Sequence, residues 1–248
     1  MLGKNLLLSQ LIQDPSLKEA LGSWGNLHVD TIALSAICMS SVLILGRIGL
    51  AQIGVEGSKG KIGALCEMLF KFVDDLVHGQ IGHHYKKFFP LIAAMFFFIM
   101  AGNLIGIGPW KAFEHMSFWP KLADGEIFDL ASPTTDFNVT LGLASLSFFT
   151  YILSGFWKHG LTYLKTLFGT AMAPIEIMDM IVRPSTLAIR LMVVITADEL
   201  MRGAFLLVCP MVLPAGIMGF EVFIALIQAF VFALLSSIYI GLTVSEHH

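Results

Sequence analysis

Apolar positions in this chain come in long runs, not in the alternating or one-faced patterns of a soluble fold. A bilayer core of about 30 Å takes about 20 mostly apolar residues in a helix. Residues 31–49, 88–107 and 139–157 have that form. Two later runs, 173–208 and 217–244, are longer and broken by polar groups. The first carries Glu176, Asp179, Arg183, Arg190, Asp198, Glu199 and Arg202, and the second carries Glu221 and Gln228. Residues 60–80 differ again. Leu65, Leu69, Phe72, Val73 and Leu76 recur at helical spacing, with Glu67, Lys71, Asp74 and Asp75 between them. This pattern predicts an amphipathic helix on the membrane surface or against a partner. Residues 1–29 read as a surface segment. Gln10, Gln13 and Asp14 interrupt the short apolar run after Lys4, and no small-residue cleavage site follows. Together the elements predict an all-α, polytopic membrane protein with about five membrane-crossing helices. It forms one integral domain over residues 1–248.

Composition agrees with a lipid environment. Of 248 residues, 56% are hydrophobic and 13% charged. A soluble domain averages about 45–50% and about 25%, so this chain lacks the charge to cover a globule. The composition also disfavours disorder, which needs low hydrophobicity and high net charge. A net charge of −3 gives no sign of nucleic-acid binding. Cys38, Cys66 and Cys209 lie far apart in apolar sequence, which predicts buried thiols and no metal or disulfide framework. The adjacent pairs His83–His84 and His247–His248 diverge on a helix and read as solvated. Walker, dinucleotide, HExxH and GxSxG motifs are missing. The residues alone offer no cofactor and no metal site.

Loop charges predict orientation. Arg47, Lys59 and Lys61 oppose only Glu56 after the first span, and Lys158 and Lys165 have no acid near them. The loop over 109–136 carries Lys111 and Lys121 against Glu114, Asp124, Glu126, Asp129 and Asp136. The positive-inside rule puts the first two loops in the cytoplasm and the third outside. The N-terminus is then outside and the C-terminus inside.

Ionisable groups cost about 2.5–3.5 kcal/mol each at the centre of a span and mark ion paths, pairs or functional sites. The stretch 176–202 holds seven. At about 100° per residue, a step of seven turns about −20°. Glu176, Arg183 and Arg190 therefore share a helix face, with Asp179 close to it. Glu199 faces the other way, about 13 Å along the axis from Arg190. Simpler readings stand beside each group. Arg190 can close a salt bridge inside the bundle, Glu199 can pair with Arg202, and Glu176 and Arg183 can be interfacial anchors. Glu221, Gln228 and Tyr239 share a face of the last run, where Gln228 alternatively bonds across helices. Asp136 and Asn138 can act as helix caps.

Three motifs carry a resemblance. They are RPSTLAIRLMVVITADELM from Arg183 to Met201, GFEVFIALIQAFVFALLSSIYIG from Gly219 to Gly241, and ASPTTDFNVTLGLA; Asn103 in NLIGIGPW adds to them. The chain resembles the a-subunit of rotary F-type ATP synthases, most of all bacterial and plastid members, from about residue 57 to 248. The resemblance implies two long tilted C-terminal helices, residues 173–244, packed against a rotor ring. It implies that Arg190 is the essential arginine. Glu199, Glu221, Asn103, Asp136 and Asn138 would serve the outer half-channel, with Gln228 near the arginine. Glu176, Asp179 and Arg183 would serve the inner half-channel. The resemblance also implies that the chain is no enzyme on its own. Met192, Val193 and Val194 depart from the family, which usually has an aromatic residue, Gly or Ala, then Asn.

The implied partners are the rotor ring of small hairpin subunits, the peripheral-stalk membrane subunits, the rest of the ATP synthase complex and the lipid bilayer. The implied place is a bacterial plasma membrane, with plastid and mitochondrial membranes as alternatives. From the residues alone, two other classes stay open: a self-contained secondary transporter or ion channel, and a structural membrane subunit whose charges only pair with neighbours.

Overall fold

The computed structural model describes residues 29–54, 57–58, 60–107, 132–159, 173–208 and 212–244. Among the described residues six α-helices carry the architecture: α1 (Val29–Gln52), α2 (Lys61–Ile81), α3 (Tyr85–Ile107), α4 (Phe137–His159), α5 (Ala173–Val208) and α6 (Val212–Val244). The predicted surface segment (all but Val29), most of the 109–136 loop, Cys209 and the terminal residues 245–248 lie outside the described residues.

The helix positions follow the apolar runs to within a few residues. One detail departs from pure helix. Ile53–Gly54 and Gly57–Ser58 pair as a two-residue antiparallel ladder between α1 and α2. Pro90 and Pro184 sit inside α3 and α5 without ending them. Each removes one backbone donor, a loss that packed neighbours can offset in membrane helices.

α2 ends at Gly82, whose φ of +71° needs a residue without Cβ. Its N–H bonds back to the His78 carbonyl, and the chain turns through Gly82–His84 straight into α3. The amphipathic prediction for α2 holds with a shifted stripe. Val73, Val77 and Ile81 are buried, whereas Leu65 and Phe72 are exposed. On the outer face Lys71 pairs with Glu67 at 2.8 Å.

α6 is the axis of the bundle. It packs most widely on α3 and also touches α2, α4 and α5, while α5 leans chiefly on α4. The core runs through Ile92, Phe96 and Ile99 of α3, Leu187 and Leu191 of α5, and Ala229, Phe232 and Ile240 of α6. Small residues at the contacts let backbones approach closely. Gly241 is the tightest case, since a Cβ there would collide with the Gln80 carbonyl of α2.

Among the described residues, the runs Gly63–Ile107, Phe137–Lys158 and Gly216–Val244 are long and apolar enough to cross a bilayer. α1 contributes a shorter apolar stretch, Leu34–Arg47. α5 carries its charged residues spread along its length. Cys38 is buried as expected, but Cys66 is only half-buried, with its thiol towards the Leu45 carbonyl of α1.

Candidate functional site

Polar groups gather at both ends of the α5–α6 pair. At the end where α4 begins, Asn103, Gly106, Ile107, Ser132, Ile195, Asp198, Glu221 and Ala225 line a cavity of about 10 Å³. That is room for about one water. Asn103 and Glu221 are 2% exposed and Asp198 is 9% exposed. These groups are therefore withdrawn from lipid and gathered where α3, α5 and α6 meet.

The turn Pro133–Thr135 seats this corner. The Ser132 hydroxyl donates to the Gly102 carbonyl at 3.0 Å and lies 2.6 Å from Thr134 Oγ1. Thr134 Oγ1 is in turn 2.6 Å from Asn103 Oδ1. The approach is close enough to require glycine in α3. A Cβ on Gly106 would lie 2.5 Å from Ser132 Cβ.

Asp136 works differently. Its Oδ1 accepts from the Asn138 backbone N–H at 2.9 Å and the Asn138 amide at 3.1 Å, and its Oδ2 accepts from Thr31 at 3.1 Å. It caps α4 and ties that helix to α1. Asn138 is exposed. Neither lines the cavity, so the structure groups Asn103 with Glu221 and sets Asp136 and Asn138 apart from them.

At the opposite end the Arg183 guanidinium lies over the rings of Tyr151 and Tyr239, at 5.5 and 5.1 Å. Both distances suit cation–π attraction. With Ser147, Phe148, Pro184 and Leu187 they line a second cavity of about 10 Å³. Ser147 bonds to Ser236 at 2.9 Å close by, and Ser154 to Thr243 at 2.7 Å. Lys158 reaches the carbonyl of Val244 and closes the end of α6.

The two cavities do not meet along the α5–α6 seam. Leu187, Ala188 and Leu191 of α5 and Ala225, Ala229, Phe232 and Ala233 of α6 fill it, almost wholly buried. Arg183 and Asp198 are about 22 Å apart along α5. Arg190 lies nearly midway, but on the outer face. It is exposed, in a stripe with Val182, Ile189, Val193 and Leu200. Among the described residues it has no hydrogen bond or ion pair, so no salt bridge inside the bundle holds it. Gln228 is buried midway along α6, and no hydrogen bond joins it to Arg190.

The side chains of Glu176, Asp179 and Glu199 lie outside the described part of the structure, so these three are placed only as backbone positions on α5. The residue pattern also passed over three groups. Asp198 continues the buried series Leu187, Leu191, Ile195, and that helical spacing marks it as inward-facing. Ser132 and Thr134 sit in the quoted SPTTD stretch, but nothing in an apolar count distinguishes a buried hydroxyl from a solvated one.

A helical bundle that shields carboxyl groups and an amide at one end and a guanidinium at the other, and turns a lone arginine outward among apolar side chains, is an integral membrane protein built to handle charge within the bilayer. The sequence matches the ATP synthase A chain family over residues 31–241. It is also 32% identical over 225 residues to ATP synthase subunit a, chloroplastic, of Stigeoclonium helveticum, covering 89% of this chain and 87% of that one. The chain belongs to the ATP synthase A chain family. It is a proton-translocating membrane component of that complex and not an enzyme by itself.

Proposed function

We propose that this chain is the stator ion-channel subunit of an F-type ATP synthase, with two offset half-channels that deliver protons to and from carboxyl groups on a rotor ring. One observation carries the reading. Arg190 is exposed and unpaired among the described residues, on an apolar face midway between two polar cavities that a buried seam keeps apart. An arginine is always charged, so an exposed one within a bilayer needs an anion from outside the chain.

A ring of hairpin subunits, each with one intramembrane carboxyl, supplies that anion. Opposite Arg190 a ring carboxyl is drawn to its charged form. Facing lipid it must be neutral, because desolvation disfavours the charge. Protons reach the ring from the cavity at Asn103 and Glu221, helped by Glu199, Asp136 and Asn138. They leave past Glu176, Asp179 and the Arg183 cavity, with Gln228 beside the arginine. The seam blocks a direct route, so a proton must ride the ring to cross. Each charge crossing 100 mV releases about 2.3 kcal/mol, which biases rotation.

The same reading has five crossings, α5 and α6 tilted against the ring, and peripheral-stalk subunits on the remaining surface. The N-terminus is outside and the C-terminus cytoplasmic. A bacterial plasma membrane is the location read from the sequence, and the chloroplast relative supports a plastid membrane as the alternative. The test is Arg190→Ala in the assembled complex. ATP synthesis driven by a proton gradient should be lost. Synthesis at near normal rates would sink the proposal.

A further inference from the structure

Hydrogen counting at the Pro133 turn decides which end of the Asn103 amide faces the cavity. Three contacts run in a line. The Asn103 amide meets Thr134 Oγ1 at 2.6 Å, Thr134 Oγ1 meets Ser132 Oγ at 2.6 Å, and Ser132 Oγ meets the Gly102 carbonyl at 3.0 Å. Each hydroxyl has one hydrogen, and the Gly102 carbonyl has none to give. With Asn103 Oδ1 at Thr134, both ends of the line are acceptors, so two hydrogens must serve three contacts. One short oxygen–oxygen contact is then bare. Asn103 Nδ2 is also buried with no hydrogen-bond partner, which is as costly as losing a bond.

Exchanging the two ends of the amide removes both faults. Asn103 Nδ2 then donates to Thr134 Oγ1, Thr134 donates to Ser132 Oγ, and Ser132 donates to the Gly102 carbonyl. Every contact has a hydrogen, and each donor polarises the next. The two amide ends are alike in shape, so packing is unchanged.

We propose that Asn103 presents its carbonyl Oδ1 to the cavity it shares with Asp198 and Glu221, and that Thr134 and Ser132 are the positioning residues that hold it there. The proposal rests on the proton-path reading above. The cavity takes about one water. With Oδ1 in place, its polar lining consists of an amide oxygen, two carboxyl groups and the Ser132 hydroxyl, whose hydrogen is committed to Gly102. The amide oxygen takes a hydrogen from the guest. It suits a proton-bearing water, whereas a fixed N–H in the same place would oppose one. The hydroxyl line thus sets the polarity of the point where protons arrive.

The test compares Thr134→Val with Thr134→Ser in whole synthase complexes in membrane vesicles, reading ATP-driven proton uptake. Valine keeps the shape of threonine and removes its hydroxyl, and serine does the reverse. Thr134→Val should slow uptake about two- to tenfold, the worth of one hydrogen bond, while Thr134→Ser stays near wild type. The opposite order would show that Thr134 acts through its methyl, which packs 3.4 Å from the position a Cβ on Gly102 would take, and would overturn the proposal. So would wild-type uptake in both. If Thr134→Val does not assemble, Ser132→Ala breaks the line one link further on. It should slow uptake by a similar factor, and unchanged uptake would again overturn the proposal. Arg190→Ala separates the two levels. If that change leaves synthesis intact, the functional reading fails. If it abolishes synthesis while Thr134→Val and Ser132→Ala pump normally, only the hydroxyl line fails.

Discussion

Replacing Gly106 by Ala should loosen the corner that holds the buried polar groups. The added Cβ would lie 2.5 Å from Ser132 Cβ and 3.1 Å from Ser132 Cα. Ordinary contact starts at 3.4 Å, so the Ser132 backbone must retreat by most of an ångström. It cannot do so freely. Its hydroxyl is bonded to Gly102 and touches Thr134, and Thr135 bonds to its carbonyl at 2.6 Å. Forcing extra volume into a filled site costs about 1–3 kcal/mol. Gly142→Ala is the matched control, because nothing lies within 4 Å of a Cβ there and an alanine in a helix gains about 0.5–1 kcal/mol over glycine. Heating the purified complex and following release of this subunit would compare them. A chain of this size shifts by about 2–4 °C per kcal/mol, so Gly106→Ala should dissociate several degrees below Gly142→Ala. Equal or reversed temperatures would refute the close approach of α3 to the Pro133 turn.

Two further changes probe the seam and the path. Ser147→Ala or Ser236→Ala alone strands a buried hydroxyl in the α4–α6 contact and should cost about 1–3 kcal/mol. The double substitution should cost clearly less than the two added together, and strict additivity in a thermal double-mutant cycle would show that the 2.9 Å bond carries no energy. Glu221→Gln should slow ATP-driven proton uptake at least about tenfold, a modest share of what proton-transfer groups contribute. An unchanged rate would remove Glu221 from the path.

Helices were the most legible part of the sequence. Apolar runs of bilayer length report on one variable, contact with lipid, and that variable sets helix extent almost alone. Packing between helices was less legible. The stripe on α2 shows why: Leu65 and Phe72 satisfy the helical period as well as Val77 does, yet only Val77 is buried. In lipid an apolar side chain loses little by facing outward, so hydrophobic period no longer separates core from surface. α5 shows the complementary case. Its charges are spread along it, yet it lies in the bundle, because packing buries Asp198 and half-buries Arg183 while one face stays apolar.

The same physics explains which site residues could be read. Arg190, Glu221 and Gln228 were visible because a charge or amide within an apolar run is conspicuous whatever the fold. Ser132 and Thr134 were not, since a hydroxyl beside a proline reads equally well as a turn, a cap or a solvated loop. Their role appears only once α3 and the turn are brought together and the hydrogens are counted. Asp198 falls between the two cases. It stands beside Glu199, and adjacent helical residues point about 100° apart, so the pair as a sequence feature leaves open which carboxyl enters the bundle. The buried series Leu187, Leu191, Ile195 settles Asp198. A bare charge inside a span therefore reveals that a site exists, but the neutral groups that orient it emerge only from three-dimensional packing.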